Sequence, residues 1–347
     1  MTQHSASRMT AFLAKHRASL GVLLLLILMP FIVGLLNGGS PAAVFVNDNG
    51  QSKFIQGLAI EIFILAIYAL SFDLIFGITG MLSFGHSMFF AVGAYLTGIA
   101  IKTFNLSLPA TLGWLVLAAI VQALLFGLVL PRVKGITFAL VTLGIASVFH
   151  IVVMSSELGK YTGADVGLQG VIVPEFISPA SERLRFYFLA LTVLILVYLL
   201  YQRFVNSPTG RVCIAIRENE DAAEVMGIVA PRAKTWAYVL SAIVPGMIGV
   251  LFFFKNGNVE PHDAFPLHAS IELLVMVMLG GQGTVLGPIL GAFAYQGMRG
   301  YLVTSPIFKD IQLSVSGGLL LLIVLFIPAG AIGWLRHRIP MLRRVLA

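Results

Sequence analysis

The chain has 347 residues, of which 58% are hydrophobic and only 11% are charged. Ordinary soluble domains carry about 25% charged residues, so this composition excludes a soluble globular protein and, with it, disordered, collagen-like and coiled-coil chains. The 22 Lys and Arg residues outnumber the 15 Asp and Glu residues, and the resulting charge of +7 first leaves a nucleic-acid partner open.

Apolar segments follow one another along most of the chain. Because a helix needs about 20 apolar residues to cross the hydrocarbon core, the hydrophobic content suits roughly eight to eleven spans. Hydropathy predicts an all-α, polytopic membrane helix bundle with ten transmembrane segments. They are 20–36, 56–76, 84–101, 110–130, 136–154, 186–204, 236–254, 268–280, 286–303 and 311–328. The eighth is short, so it is either a full crossing or a half-helix that re-enters the same side.

The distribution of basic residues predicts which way the chain faces. Fourteen Lys and Arg residues fall on the side that carries both termini, against eight on the other side. Because basic loops stay in the cytoplasm, we predict that both termini are cytoplasmic. The excess of Lys and Arg is then explained by the membrane topology, so no nucleic-acid partner is expected. The apolar run 20–36 exceeds the apolar core of a typical signal peptide, so we predict that it is retained as a helix.

The whole chain, 1–347, is predicted to form a single transmembrane domain with three cytoplasmic parts. These parts are a tail at 1–19, a loop at 201–235 and a basic tail at 329–347. The loop contains strong helix formers between Pro208 and the stop signals Gly227 and Pro231. We predict a short charged helix on the cytoplasmic surface, although a solvated connector has the same composition.

Three acidic residues, Glu61, Asp73 and Glu272, lie within predicted spans. An ionisable group at the centre of a membrane helix costs about 2.5–3.5 kcal/mol or more, so such groups usually face a cavity or a partner. Asp73 lies near the cytoplasmic end of its span and could reach water there, and all three could extend to the interface. No basic residue shares their spans at helical spacing, so an ionic partner must come from elsewhere.

Two glycine-rich segments interrupt the apolar runs, one in each half of the chain. Helix breaks at membrane depth are tolerated where protein or a water-filled cavity satisfies the backbone, and broken helices bind polar solutes in transporters. We therefore predict that both segments, together with Glu272, line or hinge a substrate pathway, with close packing at small residues as the alternative. The remaining residues of this prediction are Gly77, Gly80, Ser83, Phe84, Gly85, His86, Gly280, Gly281 and Gly283.

The sequence offers no support for catalysis. It lacks GxxxxGK[ST] and HExxH, and it has no GxSxG on a strand-turn-helix, so we predict a transport subunit without catalytic residues. His262, Asp263 and His268 share an outer loop, but their spacing matches no strong metal site, and no metal is predicted. Any ATP that drives transport must be bound by separate subunits.

Four stretches of the sequence occur in an order shared with one known family. The run from Thr79 to Tyr95 reads TGMLSFGHSMFFAVGAY, and it is followed by 162–168, 210–227 and 270–291. Together they resemble LivM-type permeases, the membrane subunits of bacterial branched-chain amino acid ABC importers. The resemblance covers nearly the whole chain beyond the first span. In the outer loop, Ala164 stands where relatives commonly carry Gly, which puts the local loop conformation in question.

The resemblance implies a docking role for the inner loop. Permeases of ABC importers contact their ATPases through a loop of pattern Glu-Ala-Ala, three residues, Gly, and Asp221–Gly227 (DAAEVMG) is similar to it, with Asp in place of the first Glu. The residues that the resemblance assigns to ATPase coupling are Arg217, Glu218, Asp221, Ala222, Ala223 and Gly227.

The resemblance also implies partners and a cargo. A homologous LivH-type permease would complete the pathway in the lipid bilayer of the bacterial inner membrane, two ATP-binding subunits would hold ATP and Mg, and a periplasmic binding protein would deliver substrate. The implied cargo is a branched-chain amino acid. Urea and short amides are an alternative cargo, because their importers use very similar permeases. A further alternative is a secondary transporter that uses Glu61, Asp73 or Glu272 to bind a coupling ion.

Overall fold

The computed structural model describes residues 17–36, 50–170, 181–265 and 267–304, and the positions 173, 178, 179, 317, 318, 321, 330 and 333. Within these residues the chain forms helices and no strand, apart from one isolated bridge between Leu168 and Val259. The all-α prediction is therefore confirmed for this part of the chain. The helices are α1 (Arg17–Leu36), α2 (Gly50–Asp73), α3 (Ser87–Lys102), α4 (Leu108–Gly127), α5 (Gly135–Met154), α6 (Gly159–Thr162), α7 (Arg183–Val205), α8 (Pro208–Glu218), α9 (Glu220–Val225), α10 (Ala230–Asn256), α11 (Pro261–Ala264), α12 (Leu267–Gly280) and α13 (Gly287–Thr304).

The apolar helices make this a multi-pass membrane protein. Five of the described helices are long and apolar enough to cross a membrane, namely α2 with its π-helical extension Leu74–Ile78, α4, α5, α7 and α10. Three more apolar helices are shorter, within α1, α3 and α12. Helix α12 has 14 residues, about 21 Å of rise, which is less than the roughly 30 Å of the hydrocarbon core. The tenth predicted span, 311–328, lies outside the described residues except at three positions, so the count of ten stays a prediction.

Helices α2 and α10 form the centre of the bundle. Their most apolar windows are 83% and 72% buried, whereas those of α4 and α5 are each 28% buried. Helix α10 packs against α3 and α4, and α2 packs against α7, α10 and α13. The outer helices expose large apolar side chains such as Leu117, Leu125 and Leu140. Such a surface suits lipid chains or another apolar subunit.

Glycines allow α3 and α10 to approach each other closely. A Cβ at Gly93 would overlap the carbonyl group of Gly246, and one at Gly249 would overlap the carbonyl oxygen of Phe90. Small residues that bring helix backbones into contact are a common device of membrane bundles. Close packing therefore explains these glycines, which lie outside the two helix breaks.

The connectors differ from their predicted form in two places. Helix α7 ends at Val205 and α10 begins at Ala230, so the inner connector is shorter than 201–235, and it holds two helices because Asn219 interrupts α8 and starts α9. In the outer loop, Ala164 has a φ of 49°, in the left-handed region that favours glycine. Ala164 therefore has a backbone conformation that glycine adopts more easily, although the residue is alanine.

Candidate functional site

Two polar clusters contact the central helix α2, one near its middle and one at its C-terminal end. Glu61 belongs to the outer cluster and Asp73 to the inner one, and their separation of twelve residues corresponds to about 18 Å of helix. We call the inner cluster, formed by Asp73, Gly77, Tyr201, Arg217 and Gly283, the inner junction. A rigid helix thus joins both clusters.

Asp73 is the buried centre of the inner junction. Its side chain is fully buried, which corrects the expectation that it reaches water at the end of its span. One carboxylate oxygen accepts a hydrogen bond from the Tyr201 hydroxyl of α7, and the other accepts one from the backbone N–H of Gly283 at 2.9 Å. Hydrogen bonds to a charged group are stronger than neutral ones, so they can hold a carboxylate at this depth. Three separate parts of the chain are joined at this side chain.

The two predicted helix breaks contact each other. The first comprises residues 79–86, after a π-helical turn that contains Gly77, and the second comprises 281–286, after the last residue of α12, Gly280. A Cβ at Gly77 would overlap both Asp73 and the backbone of Gly283, so the two breaks meet without space for a side chain. Gly80, Gly281 and Gly283 all have positive φ. A second link is the hydrogen bond of 2.8 Å that Ser270 of α12 donates to the carbonyl of Phe84.

Helix α8 reaches this meeting point from the connector between α7 and α10. Arg217 donates a hydrogen bond to the carbonyl of Gly77, and its side chain packs against the backbone at Gly80 and Gly283. Cys213, one turn earlier, is buried beside the first break, where burial raises the pKa of its thiol to about 11 and a hydrogen bond involving Thr79 opposes part of that shift. Helix α8 is therefore in direct contact with both breaks.

His86 and Ser83 are buried in the first break. The His86 ring stacks on Tyr68, and its Nε2 atom lies 3.0 Å from the Ser71 hydroxyl. Its Nδ1 atom and the Ser83 hydroxyl are buried without a hydrogen-bond partner among the described residues. Gly85 packs against the backbone of Thr142 in α5. These positions lie in the helix packing around the break.

A compact ionic network surrounds α9, in the connector that is predicted to be cytoplasmic. Glu220, Asp221 and Glu224 lie within 3.5–3.7 Å of Lys134, and Glu220 also pairs with the buried Lys234 of α10 at 2.6 Å. Desolvation, the largest single contribution, lowers the pKa of the Lys134 ammonium, but the three carboxylates together outweigh it and raise this pKa above its ordinary value. The network fixes α9 to the bundle.

The end of α9 projects an apolar tip, which consists of Val225 and Met226. Their exposed fractions are 88% and 82%, and the next residue, Gly227, has a φ of +85°. Of the other predicted coupling residues, Ala222 is exposed and Ala223 is buried. Glu218 pairs with Arg217 at 2.6 Å. Of the predicted coupling residues, Asp221 and Ala222 thus lie on the surface of α9, whereas Arg217 belongs to the inner junction.

The middle of α2 borders a cavity of about 250 Å³, which we call the outer cavity. Two ion pairs lie on its wall: Glu61 with Lys255 at 2.9 Å, and Glu272 with Arg299 at 3.5 Å. Both basic partners come from other helices, as expected for these acids. The rest of the wall is formed by Ile64, Leu65, Tyr68, Phe90, Phe252, Ala264, Leu273 and Met276.

A second cavity, of about 320 Å³, adjoins the first, and we call it the vestibule. Both cavities include Glu61 and Lys255 in their walls, so this ion pair separates them. The vestibule also contains Lys53 and Arg183, and Arg183 donates a hydrogen bond to the Lys53 carbonyl at 2.9 Å. Three bases against one acid make it predominantly positive.

Sequence reasoning missed several residues of both clusters. Lys255 and Arg299 entered only the count of outer bases, and Tyr201 was placed in the inner loop although α7 continues through it. All three residues lie near the ends of apolar helices, and this position was the one sign of them in the sequence. In the outer loop, His262 Nε2 lies 3.0 Å from Asp165, whereas the side chains of Asp263 and His268 are outside the described residues.

Comparison with known proteins gives consistent matches. Residues 54–324 match a family described as the branched-chain amino acid transport system / permease component. The chain is 27% identical over 300 residues to the high-affinity branched-chain amino acid transport system permease protein LivM of Escherichia coli (strain K12), which covers 80% of this chain and 69% of that protein.

Two further relatives bear the same kind of name. The permease protein LivH of Escherichia coli (strain K12) is 26% identical over 291 residues, with 77% of this chain and 91% of LivH covered. The permease protein BraD of Pseudomonas aeruginosa is 24% identical over 286 residues, with the same coverage of each chain. No solved structure gives a significant match.

Proposed function

The chain belongs to the family of permease components of branched-chain amino acid transport systems, and we propose that it forms half of the translocation pathway of an ATP-driven importer in a bacterial inner membrane. A LivH-type permease would provide the other half, which is consistent with the similarity of this chain to both LivM and LivH. Two ATP-binding subunits would hold ATP and Mg, and a periplasmic binding protein would deliver substrate.

The observation that carries the proposal is the contact of Arg217 with both helix breaks. Helix α8 lies on the cytoplasmic side, and Arg217 reaches from it to the carbonyl of Gly77 and to the backbone at Gly283. An ATPase that moves α8 would therefore shift the ends of α2 and α12 together. Because packed interfaces adopt discrete arrangements, such a shift would switch the pathway between outward- and inward-facing states.

The surface of α9 supports the proposed ATPase contact. Val225 and Met226 are both large, apolar and almost fully exposed, and the acidic residue Glu224 directly precedes them. An exposed apolar tip with a polar rim is typical of a protein interface. The ionic network around Lys134 and Lys234 would let α9 act as a rigid lever.

The alternatives are less well supported by the geometry. An ion-coupled secondary transporter needs acids that are available to a cation, whereas Glu61 and Glu272 pair with basic residues and Asp73 is hydrogen-bonded. Urea and short amides remain an alternative cargo for the same architecture, since substrate choice would rest largely with the binding protein.

We expect ten spans with both termini in the cytoplasm, in the topology that the basic residues indicate. A reporter fused at residue 165 should then read as periplasmic, and one at residue 220 as cytoplasmic. Alkaline phosphatase and green fluorescent protein fusions measure the two sides independently. The reverse pattern would overturn the orientation, and equal signals at both sites would overturn the placement of the spans between them.

Reconstitution tests the function directly. The chain, a LivH-type permease, two ATPases and a binding protein are placed in liposomes that contain ATP and Mg, and uptake of leucine, isoleucine, valine, urea and acetamide is compared. We expect uptake of the branched-chain amino acids, and none when ATP is replaced by a non-hydrolysable analogue. ATP-independent uptake by the permeases alone would contradict the proposal, and preferential uptake of urea or acetamide would replace the cargo.

A further inference from the structure

We propose that the outer cavity is a binding site for an apolar α-amino acid in its zwitterionic form, which the permease occupies during transport. The inference rests on the proposed function and extends it, because it places a substrate-binding site within this chain. It assigns the carboxylate of the substrate to Lys255 and Arg299 and the ammonium group to Glu61 and Glu272.

The charges on the cavity wall match a zwitterion. Four helices each contribute one charged group, and the two acids and two bases sum to zero. A substrate with one positive and one negative group can contact both ion pairs. Each of the four charged side chains then still has an opposite charge beside it. Placing four charged side chains in an apolar bundle costs free energy. A neutral solute such as urea would not need them, so they favour a charged substrate.

The remaining wall suits an aliphatic side chain. Phe90 and Phe252 pack edge to face at 5.0 Å, and Leu273 and Met276 belong to the same surface. The volume of about 250 Å³ lies just below the range of roughly 300–1,000 Å³ for drug-sized ligands, so it fits a smaller solute. Apolar walls with a few convergent polar groups are the usual composition of a small-molecule site.

Tyr68 gives an independent indication of a ligand. Its hydroxyl is buried and has no hydrogen-bond partner among the described residues, although the residue lies on the cavity wall. A buried hydroxyl without a partner is costly, so a site that retains one usually provides it for a ligand or a water molecule. The oxygen is enclosed in this structure, so a bound carboxylate would accept this hydrogen bond once the Tyr68 side chain turns towards the cavity.

The vestibule explains how a zwitterion would approach. Lys53, Arg183 and Lys255 make it predominantly positive, so it attracts the carboxylate end of the solute first. The Glu61–Lys255 pair stands between the vestibule and the outer cavity. Transfer of the carboxylate past Lys255 would leave the ammonium group beside Glu61.

The first experiment measures ligand binding to the assembled permeases and ATPases in nanodiscs, without the binding protein. The probes are L-leucine, 4-methylpentanoate, which lacks the ammonium group, and 3-methylbutylamine, which lacks the carboxylate. We expect leucine to bind at least about tenfold more tightly than either analogue, because each analogue loses the contacts of one charged group. Equal binding of the three, or no binding of leucine, would overturn the inference.

The second experiment separates substrate binding from structural ion pairing. In liposomes with the complete importer, Glu61→Gln and Arg299→Gln should each lower leucine uptake by about tenfold or more. The double variant Glu61→Lys/Lys255→Glu keeps an ion pair between α2 and α10 but exchanges the two charges. We expect it to restore assembly without restoring uptake, whereas restored uptake would show that the pair is only structural.

A matched control is Glu182→Gln, because Glu182 pairs with Arg185 on the outer side and does not line either cavity. Its uptake should equal that of the unmodified chain. If the cavity variants also match the unmodified chain while ATP-driven uptake proceeds, the site is wrong and the importer function stands. If the unmodified complex takes up no leucine, the proposed function itself fails.

Discussion

Arg217→Gln is expected to lower substrate uptake per ATP hydrolysed by about tenfold or more while the ATPases stay bound. The arginine joins α8 to Gly77 and Gly283 through hydrogen bonding and packing, and glutamine is too short to keep both contacts. A charged hydrogen bond in such a position contributes about 1.5–3 kcal/mol, enough to uncouple a two-state element. Uptake and ATP hydrolysis measured in the same liposomes give the ratio.

The matched control for this variant is Arg211→Gln. Arg211 lies on the same helix, but the hydrogen bond that its side chain makes within the described part of the chain is a long one, 3.4 Å to the carbonyl of Asn206. Its uptake per ATP should remain unchanged. Equal effects at both positions would show that the net charge of α8, and not the contact with the breaks, governs coupling.

Variants of the buried carboxylate test the same junction from the membrane side. Asp73→Asn and Tyr201→Phe both disturb the hydrogen bond between these two side chains, and Asp73→Asn also disturbs the one from Gly283, so the double variant should be no worse than Asp73→Asn alone. Additive losses of uptake would instead mean that the two side chains act independently. Thermal stability of the purified complex, measured alongside, separates loss of coupling from loss of folding.

Local sequence signals were sufficient for the helices and for the breaks. Hydropathy is a property of each segment, so nine predicted spans coincide with helices of the described chain, and even the short length of α12 was visible. The glycine-rich segments at 77–86 and 279–288 likewise report local backbone requirements. What they could not report is that the two breaks touch, because this depends on how α2 and α12 pack.

The ion pairs show why the rest of the site was not predictable. Glu61 and Lys255 are 194 residues apart, and Asp73 and Tyr201 are 128 apart. No periodicity connects such positions, and a topology count treats every lysine near a helix end as a loop residue. Their partners follow only from the order of helices around α2.

The division of the inner connector was missed for a different reason. Helix propensity favoured one continuous helix after Pro208, but the Asn219 side chain accepts a hydrogen bond from the N–H of Ala222 and starts a second helix. Asparagine is among the best N-terminal caps, so this signal was present in the sequence. The turn it creates is what places Val225 and Met226 at a projecting tip.

The variant Val225→Asp/Met226→Asp is expected to abolish co-purification of the ATPases. Both side chains are almost fully exposed, so their replacement changes the free energy of unfolding by only about 0.5 kcal/mol, whereas a charge placed in an apolar contact opposes binding strongly. The permease pair should still assemble in the membrane, because the tip lies at the end of α9 and outside the bundle. Pull-down with tagged ATPases measures the association.

Two controls determine whether the apolar tip itself binds the ATPase. Val166→Asp makes a similar change at a residue that is 65% exposed in the outer loop, and it should leave ATPase association intact. Gly227→Val keeps the tip apolar but places a β-branched residue at a φ of +85°, which should distort the end of α9 and weaken association. Full association with Val225→Asp/Met226→Asp would exclude α9 as the docking element, and because Arg217 lies on α8, the ATPase would then have to move the inner junction through α8 directly.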